Sequence, residues 1–263
     1  MKKLCTLLAL IMLLICVLMS GCTAEPEPNP ATDFEYEIGE DGTVAIERYI
    51  GESAEVVIPK EIDGKSVTII GPAAFEGCTR VTSVILPDTL KHIGGYAFAK
   101  CTNLKKIHIP TDCLVDSFST FQSSGLEEVM FADQVTVIPM GCFEDTKLTK
   151  VVCPPSLISI DHAAFHLCKE LTEITLNQGL TTIGSDAFAS TAITEIIIPD
   201  TVQIITNASL SINTQKVYFE GNAPKNFMMV DPSIEEYPFT IYYHEGAEGF
   251  TSPEWNGYST EIW

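Results

Sequence analysis

The sequence predicts a β-rich repeat solenoid. Six phenylalanines, Phe75, Phe98, Phe121, Phe143, Phe165 and Phe188, recur at spacings of 23, 23, 22, 22 and 23 residues. A self-similar period of about 20–29 residues marks an array in which each unit makes one coil and buries its apolar face only by stacking on its neighbours. A strand-like segment recurs at the same period, and the segments on either side have the composition of caps.

The chain opens with Lys2 and Lys3, an apolar run from Leu4 to Met19, and Ser20-Gly21-Cys22. This is the order of a charged n-region, an h-region and a small-residue cleavage site, so residues 1–21 are read as a signal peptide. A membrane-spanning helix is the alternative, but the run is shorter than the ~20 apolar residues that a span prefers. Leu18-Met19-Ser20-Gly21-Cys22 resembles a bacterial lipobox, with Met19 where leucine is commoner. That resemblance implies acylation of Cys22, and two or three acyl chains would make the attachment stable where one is marginal. Residues 22–32, with Pro26, Pro28 and Pro30, read as an extended tether. Residues 33–52 read as an N-terminal cap: Phe34 to Ile38, a turn from Gly39 to Gly42, and Thr43 to Ile46 form a β-hairpin pattern.

The array is expected over residues 53–220, in about seven coils. Each unit opens as in Leu104-Lys105-Lys106-Ile107-His108-Ile109-Pro110 or Ile193-Thr194-Glu195-Ile196-Ile197-Ile198-Pro199, with the first, fourth and sixth positions apolar or cysteine. Side chains alternate along a strand, so the fourth and sixth point into the core and the third and fifth face out. Proline at the seventh position (Pro59, Pro87, Pro110, Pro154, Pro199) ends the strand, because it cannot donate to a ladder. A second apolar pair follows, as in Leu90/Ile93 and Leu157/Ile160, and then a small residue and the periodic phenylalanine. The third unit departs: Cys113 and Asp116 stand where Leu90 and Ile93 stand one coil earlier, with Val115 and Phe118 as candidate substitutes.

The pattern L-x-x-I-x-I-P-x-x-(L/V)-x-x-I followed by A-F-x-x-C resembles the BspA-like leucine-rich repeats of bacterial surface proteins. The resemblance implies a right-handed coil array with a parallel sheet, capped at both ends, and a role in binding. Residues 221–263, with Tyr242, Tyr243, Trp255, Tyr258 and Trp263, resemble the family's closing segment. Caps matter because an uncovered terminal coil exposes a sheet edge and an apolar face.

Charge narrows the partners. The chain has 15 Lys+Arg against 35 Asp+Glu; loss of residues 1–21 removes Lys2, Lys3 and no acid, which takes the net charge from −20 to −22. So acidic a surface repels nucleic acid and anionic headgroups, and no nucleic-acid partner is expected. Beyond Cys5, Cys16 and Cys22 there are six cysteines, Cys78, Cys101, Cys113, Cys142, Cys153 and Cys168, at places that other coils fill with small or apolar residues. An even number in an exported chain permits disulfides, whereas the register favours packing as small hydrophobes. Cys78 and Cys101, one coil apart, remain within the roughly 4.4–6.8 Å window for a bridge.

Nothing in the sequence asks for catalysis, a metal or a cofactor. His162 and His166 are four apart but lack the glutamate of H-E-x-x-H, and no G-x-S-x-G, P-loop or G-x-G-x-x-G is present. The repeats instead display a sheet face. Its third position runs Glu55, Ser83, Lys106, Glu128, Lys150, Glu173, Glu195, Lys216, alternating in sign over four coils, which predicts cross-strand pairs worth roughly 0.2–1 kcal/mol each. Its fifth runs from Val57 through Ile85, His108, Met130, Val152, Thr175, Ile197 and Tyr218. β-branched residues suit any exposed sheet, but a continuous apolar strip also has the character of a binding surface, and Ile85 to Tyr218 are the candidate ligand-binding residues. The resemblance implies a lipid-anchored, outward-facing adhesion protein whose partner is an extracellular protein of a host or neighbouring cell. The alternative is an envelope protein that binds polysaccharide or scaffolds other surface proteins; face aromatics would favour carbohydrate, and in the array only Tyr218 qualifies.

Overall fold

The computed structural model describes residues 26–111, 113–115, 118–228 and 239–263. Residues 1–21, read from the sequence as a signal peptide, and Cys22 and Asp116 lie outside them. The chain forms a β-solenoid of about nine turns. Short outer strands, from Glu55–Val57 and Ser83–Ile85 to Glu195–Ile198 and Lys216–Phe219, pair in parallel with their neighbours. Two-residue strands line the return face, from Val137–Ile138 through Ser159–Ile160 and Thr182–Ile183 to Ile204–Ile205 and Asn226–Phe227. The expected alternation holds: in Lys150–Val152 only the middle residue is buried, and in Glu195–Ile198 the second and fourth are.

The array runs further than the expected seven coils. Lys216–Phe219 pairs in parallel with Thr240–Tyr243, which pairs in parallel with Tyr258–Ile262. Coil stacking therefore continues into the region read as a cap, whose closing element is the antiparallel pair Glu254–Trp255 and Tyr258–Ile262. The pattern hid this because these last turns keep the in-and-out alternation (Ile241 and Tyr243 buried) but lack the phenylalanine and its spacing.

The six phenylalanines form one buried stack. Successive centroids from Phe75 to Phe188 lie 5.0, 5.6, 5.3, 5.5 and 5.7 Å apart with interplanar angles of 23° or less, and each ring is at most 1% exposed. The N-terminal cap extends it. Tyr49 stacks on Phe75 at 5.1 Å, and Phe34 lies against Tyr49 at 5.6 Å. At the other end Ser209 accepts the Phe188 N–H through its carbonyl, and the next residue, Leu210, is buried in place of a ring.

The 22-or-23 variation has a local origin. The apolar head of each strand (Val81, Leu104, Leu126, Leu148, Leu171) precedes the next phenylalanine by 17 residues in every coil, so the difference lies in the turn after the phenylalanine. Coils with cysteine three residues past the ring (Cys78, Cys101, Cys168) carry one extra residue and close an added turn, with the strand head donating to the cysteine carbonyl at 3.0–3.1 Å. Coils with Ser124 or Thr191 omit it, and Gly125 or Ala192 donates to the preceding coil instead, at 3.0 and 2.9 Å.

The bend is built on left-handed backbone. Two residues before each phenylalanine φ lies between 54° and 60° (Ala73, Tyr96, Ser119, Gly141, Ala163, Asp186), and two after it between 54° and 68° (Gly77, Lys100, Ser123, Asp145, Leu167, Ser190). Each such residue costs an L-amino acid about 1–2 kcal/mol. The conformation turns its N–H along the array. Ala163, Phe165 and Leu167 donate to Ser185, Ala187 and Ala189 of the next coil at 2.8–3.0 Å, and the same three-rung ladder repeats between the earlier coils.

The third coil slips as its sequence foretold. Cys113 takes the leucine place and is 3% exposed, its N–H donating to Pro110. Leu114, rather than the next residue, bridges to His92, and Val115 packs half-buried on the core. Phe118 is no substitute core residue: it is 48% exposed and meets Tyr96 edge-on at 5.2 Å. At the N-terminus the hairpin Phe34–Ile38 with Val44–Tyr49 is present. Its approach is pinned: Asn29 donates its N–H to Val57 and accepts the Val57 N–H on Oδ1, both at 2.8 Å. The tether expected over 22–32 is thus docked to the first coil by its residue 29.

Candidate functional site: the outer sheet face

Because the third and fifth strand positions point away from the core, the outer strands carry two side-chain rows along the solenoid. In the fifth-position row Ile85, His108, Met130, Val152, Thr175 and Ile197 are exposed, Val152 the most of its large hydrophobics (69%), while Tyr218 and Val57 are half-buried. Register joins Val57 to Ile85, His108 to Met130, Val152 to Thr175 and Ile197 to Tyr218. The ladder is interrupted between Met130 and Val152 and between Thr175 and Ile197, where adjacent coils pack without strand pairing. Shallow grooves lie along the row. One of about 530 Å³ is lined by Ile85 and His108, one of about 430 Å³ by Met130 and Val152, and one of about 380 Å³ by Thr175, Ile197 and Tyr218.

The charge row pairs across strands, though not as one unbroken ladder. Lys106 meets Glu128, Lys150 meets Glu173 at 2.6 Å, and Lys216 meets Glu195 at 2.7 Å. Their hydrogen bonds to these carboxylates raise the Lys106 and Lys216 ammonium pKa values above the ordinary range. Such exposed pairs contribute little stability, about 0–1 kcal/mol each. Their effect is to hold register and keep the flanks of the apolar row polar.

The cysteines lie in the core and not on this face. All six are free; five are buried and Cys78 is half-buried. Burial pushes the Cys101 and Cys153 thiols up to about 12 and that of Cys168 to about 11, and it raises those of Cys78 and Cys142 as well. The position past the ring is a small buried donor. Cys101 Sγ donates to the Phe75 carbonyl and Cys168 Sγ to that of Phe143, both at 3.0 Å, and Thr191 Oγ1 donates to that of Phe188 at 2.8 Å. Ser124 Oγ is the exception, buried without a partner.

Among the described residues no group of His, Cys, Asp and Glu is placed to hold a metal ion. His162 Nδ1 lies 2.9 Å from the Ser185 carbonyl and His166 Nδ1 3.3 Å from Glu144 Oε1, each directed along the bend and not toward the other. No helix among the described residues is long and apolar enough to cross a membrane.

Sequence reasoning missed how far the aromatic part of the face extends. Tyr242 continues the fifth-position row, in register with Tyr218 and stacked on it at 4.8 Å. Trp263 leans on Tyr218 at 4.8 Å and stacks on His244 at 4.7 Å. The available signal was the repeated alternation in Lys216-Val217-Tyr218-Phe219 and Thr240-Ile241-Tyr242-Tyr243.

Comparison with known proteins agrees with this geometry. No curated protein matches the chain. Among solved structures, a leucine rich repeat protein of T. pallidum is 27% identical with a TM-score of 0.54, over 62% of this chain and 89% of that one. A leucine rich cell surface protein of Faecalibacterium prausnitzii A2-165 is 25% identical with a TM-score of 0.56, over 75% of this chain and 56% of that one. The family model described as BspA type leucine rich repeat region matches in six copies, over residues 54–160 and 136–226. That match spans most of the solenoid, including the phenylalanine stack and the outer face, and the chain belongs to the BspA-type leucine-rich repeat family.

Proposed function

We propose that this protein is a lipid-anchored, outward-facing binding scaffold that captures an extracellular protein on its outer sheet face. The observation that carries the reading is the coincidence of the fifth-position row with the grooves: Ile85, His108, Met130, Val152, Thr175, Ile197 and Tyr218 all line one. An exposed apolar row flanked by charges has the make-up of an interface, apolar at its centre and polar at its rim. A solenoid offers such a surface over several coils, which suits an extended partner. The F. prausnitzii relative is described as a cell surface protein, which supports export, and the Ser20-Gly21-Cys22 segment supports anchoring through Cys22.

Residues 23 to 263 immobilised on beads and challenged with extracellular-matrix proteins test the binding. Met130→Glu together with Val152→Glu should abolish capture while leaving the melting curve close to that of the parent, because both side chains are more than half exposed. Capture that survives both glutamates would move the site off this row. For the anchor, Cys22→Ala should abolish labelling by a fatty-acid probe in a bacterial host, and undiminished labelling would refute acylation there.

A further inference from the structure

The outer face ends in a ring cluster that the core does not need. Val217, Ile241 and Tyr243 already close the interior of the last turns on the inward side. Tyr218, Tyr242, His244 and Trp263 stand on the outward side, held together by ring contacts of 4.7–4.8 Å. Trp263 is 46% exposed, and its backbone N–H donates to the Tyr243 carbonyl at 3.1 Å. Tyr218 also forms one wall of the 380 Å³ groove, whose polar lining includes Gln178, Glu195 and Glu220. Gln178 Nε2 donates to Glu220 Oε2 at 2.5 Å, and Lys216 Nζ donates to Glu195 Oε1 at 2.7 Å. A half-exposed aromatic surface thus stands beside planar amide and carboxylate groups that offer both donors and acceptors.

We propose that the Tyr218 end of this same row is a subsite for a neutral glycan, at a different groove from the one that Met130 and Val152 line. A pyranose ring has one face of C–H groups, which packs on an aromatic ring, and a rim of hydroxyls that both donate and accept. Tyr218 and Trp263 offer the apolar surface, and Gln178, Glu195 and Glu220 offer partners for the rim. Tyrosine and tryptophan suit this task because each presents a rigid apolar body with a polar tip. Charge decides between occupants. An anionic glycan meets Glu195, Glu220 and Glu261 on a chain of net charge −20. A basic peptide finds Glu195 already neutralised by Lys216, which leaves Glu220, bonded to the neutral Gln178 amide, as the groove's one unneutralised carboxylate, and poly-lysine measures that alternative. A neutral ring is repelled by neither and uses the lone pairs that remain.

Affinity electrophoresis of residues 23 to 263 through gels containing dextran, mannan, a soluble β-glucan, hyaluronate or no polymer tests the assignment, with binding to poly-lysine measured in parallel. The expected result is retardation by at least one neutral polymer and none by hyaluronate. Trp263→Ala and Tyr218→Ala should each weaken it by about tenfold or more, while Trp263→Phe, which keeps a ring, retains most of it. Trp255 sits among Phe227 and Phe250, so an emission change on glycan binding that is absent from Trp263→Phe reports Trp263. Thermal melts of each variant identify any that fail to fold. Met130→Glu with Val152→Glu should leave retardation unchanged, which separates failure of this proposal from failure of the protein-binding one. Retardation by no neutral polymer, retardation that persists in both folded alanine variants, or binding to poly-lysine alone would each overturn it.

Discussion

Phe143 occupies the middle of the buried stack, and truncating it to alanine tests whether the stack organises the array. Its ring is 1% exposed, stacked on Phe121 at 5.3 Å and Phe165 at 5.5 Å, with the edge of Phe131 at 5.7 Å. Removing a buried phenylalanine side chain costs about 3–5 kcal/mol, through lost transfer free energy and the cavity left behind. The two parallel neighbours each contribute about 0.5–1.5 kcal/mol of ring–ring interaction beyond area, which places the expected loss toward the upper end. In a linear array stability is approximately a sum of unit and interface contributions, so a hole at Phe143 weakens the contacts to the coils of Phe121 and Phe165 together. Urea denaturation followed by far-UV circular dichroism should show the unfolding free energy falling by that amount, with broadening or a second transition if the two halves separate. Phe143→Leu should lose less, since the coil after Phe188 already uses Leu210 in the ring's place. A loss below about 1 kcal/mol for Phe143→Ala, within the range of ordinary surface changes, would refute the idea that the stack joins the coils.

The thiols should give alkaline lability. Their folded pKa values are raised to about 11–12 at Cys101, Cys153 and Cys168, against about 8.5 when unfolded. The stability they contribute is therefore fully present below about pH 8.5 and lost as pH rises toward 12. Melting temperature should fall above pH 9, and less steeply in Cys101→Thr with Cys168→Thr, which keep the buried donor seen at Thr146 and Thr191; equal slopes would count against the assignment. The same cysteines should resist thiol reagents at pH 8 until urea is added, and labelling without denaturant would show the core to be open. Gly77→Ala isolates the left-handed backbone: its φ is 68° and an added Cβ would meet nothing within 4 Å. A loss of about 1 kcal/mol is expected from conformation alone, and an unchanged stability would mean that the bend adapts.

The sequence by itself determined the solenoid, its coil register and the two rows of the outer face. Each depends on one-dimensional periodicity: a buried ring once per coil, and strand alternation that sends positions such as Met130 and Val152 outward wherever Val129 and Val151 turn in. The departure at Cys113 was legible for the same reason, as a break in that period, but the failure of Phe118 to enter the core was not, since one-residue slippage is decided by pairing with His92. The left-handed pairs flanking each ring could not be read, because Lys100, Asp145 and Leu167 have no shared preference for positive φ and adopt it only where the coil-to-coil ladder offsets the strain. The tertiary structure also decided how far the array runs and what its end displays. Tyr218, Tyr242, His244 and Trp263 are scattered over 46 residues of sequence. They meet because parallel stacking brings successive turns to neighbouring strand spacing, and a pattern lacking the periodic phenylalanine gives no advance sign of that stacking.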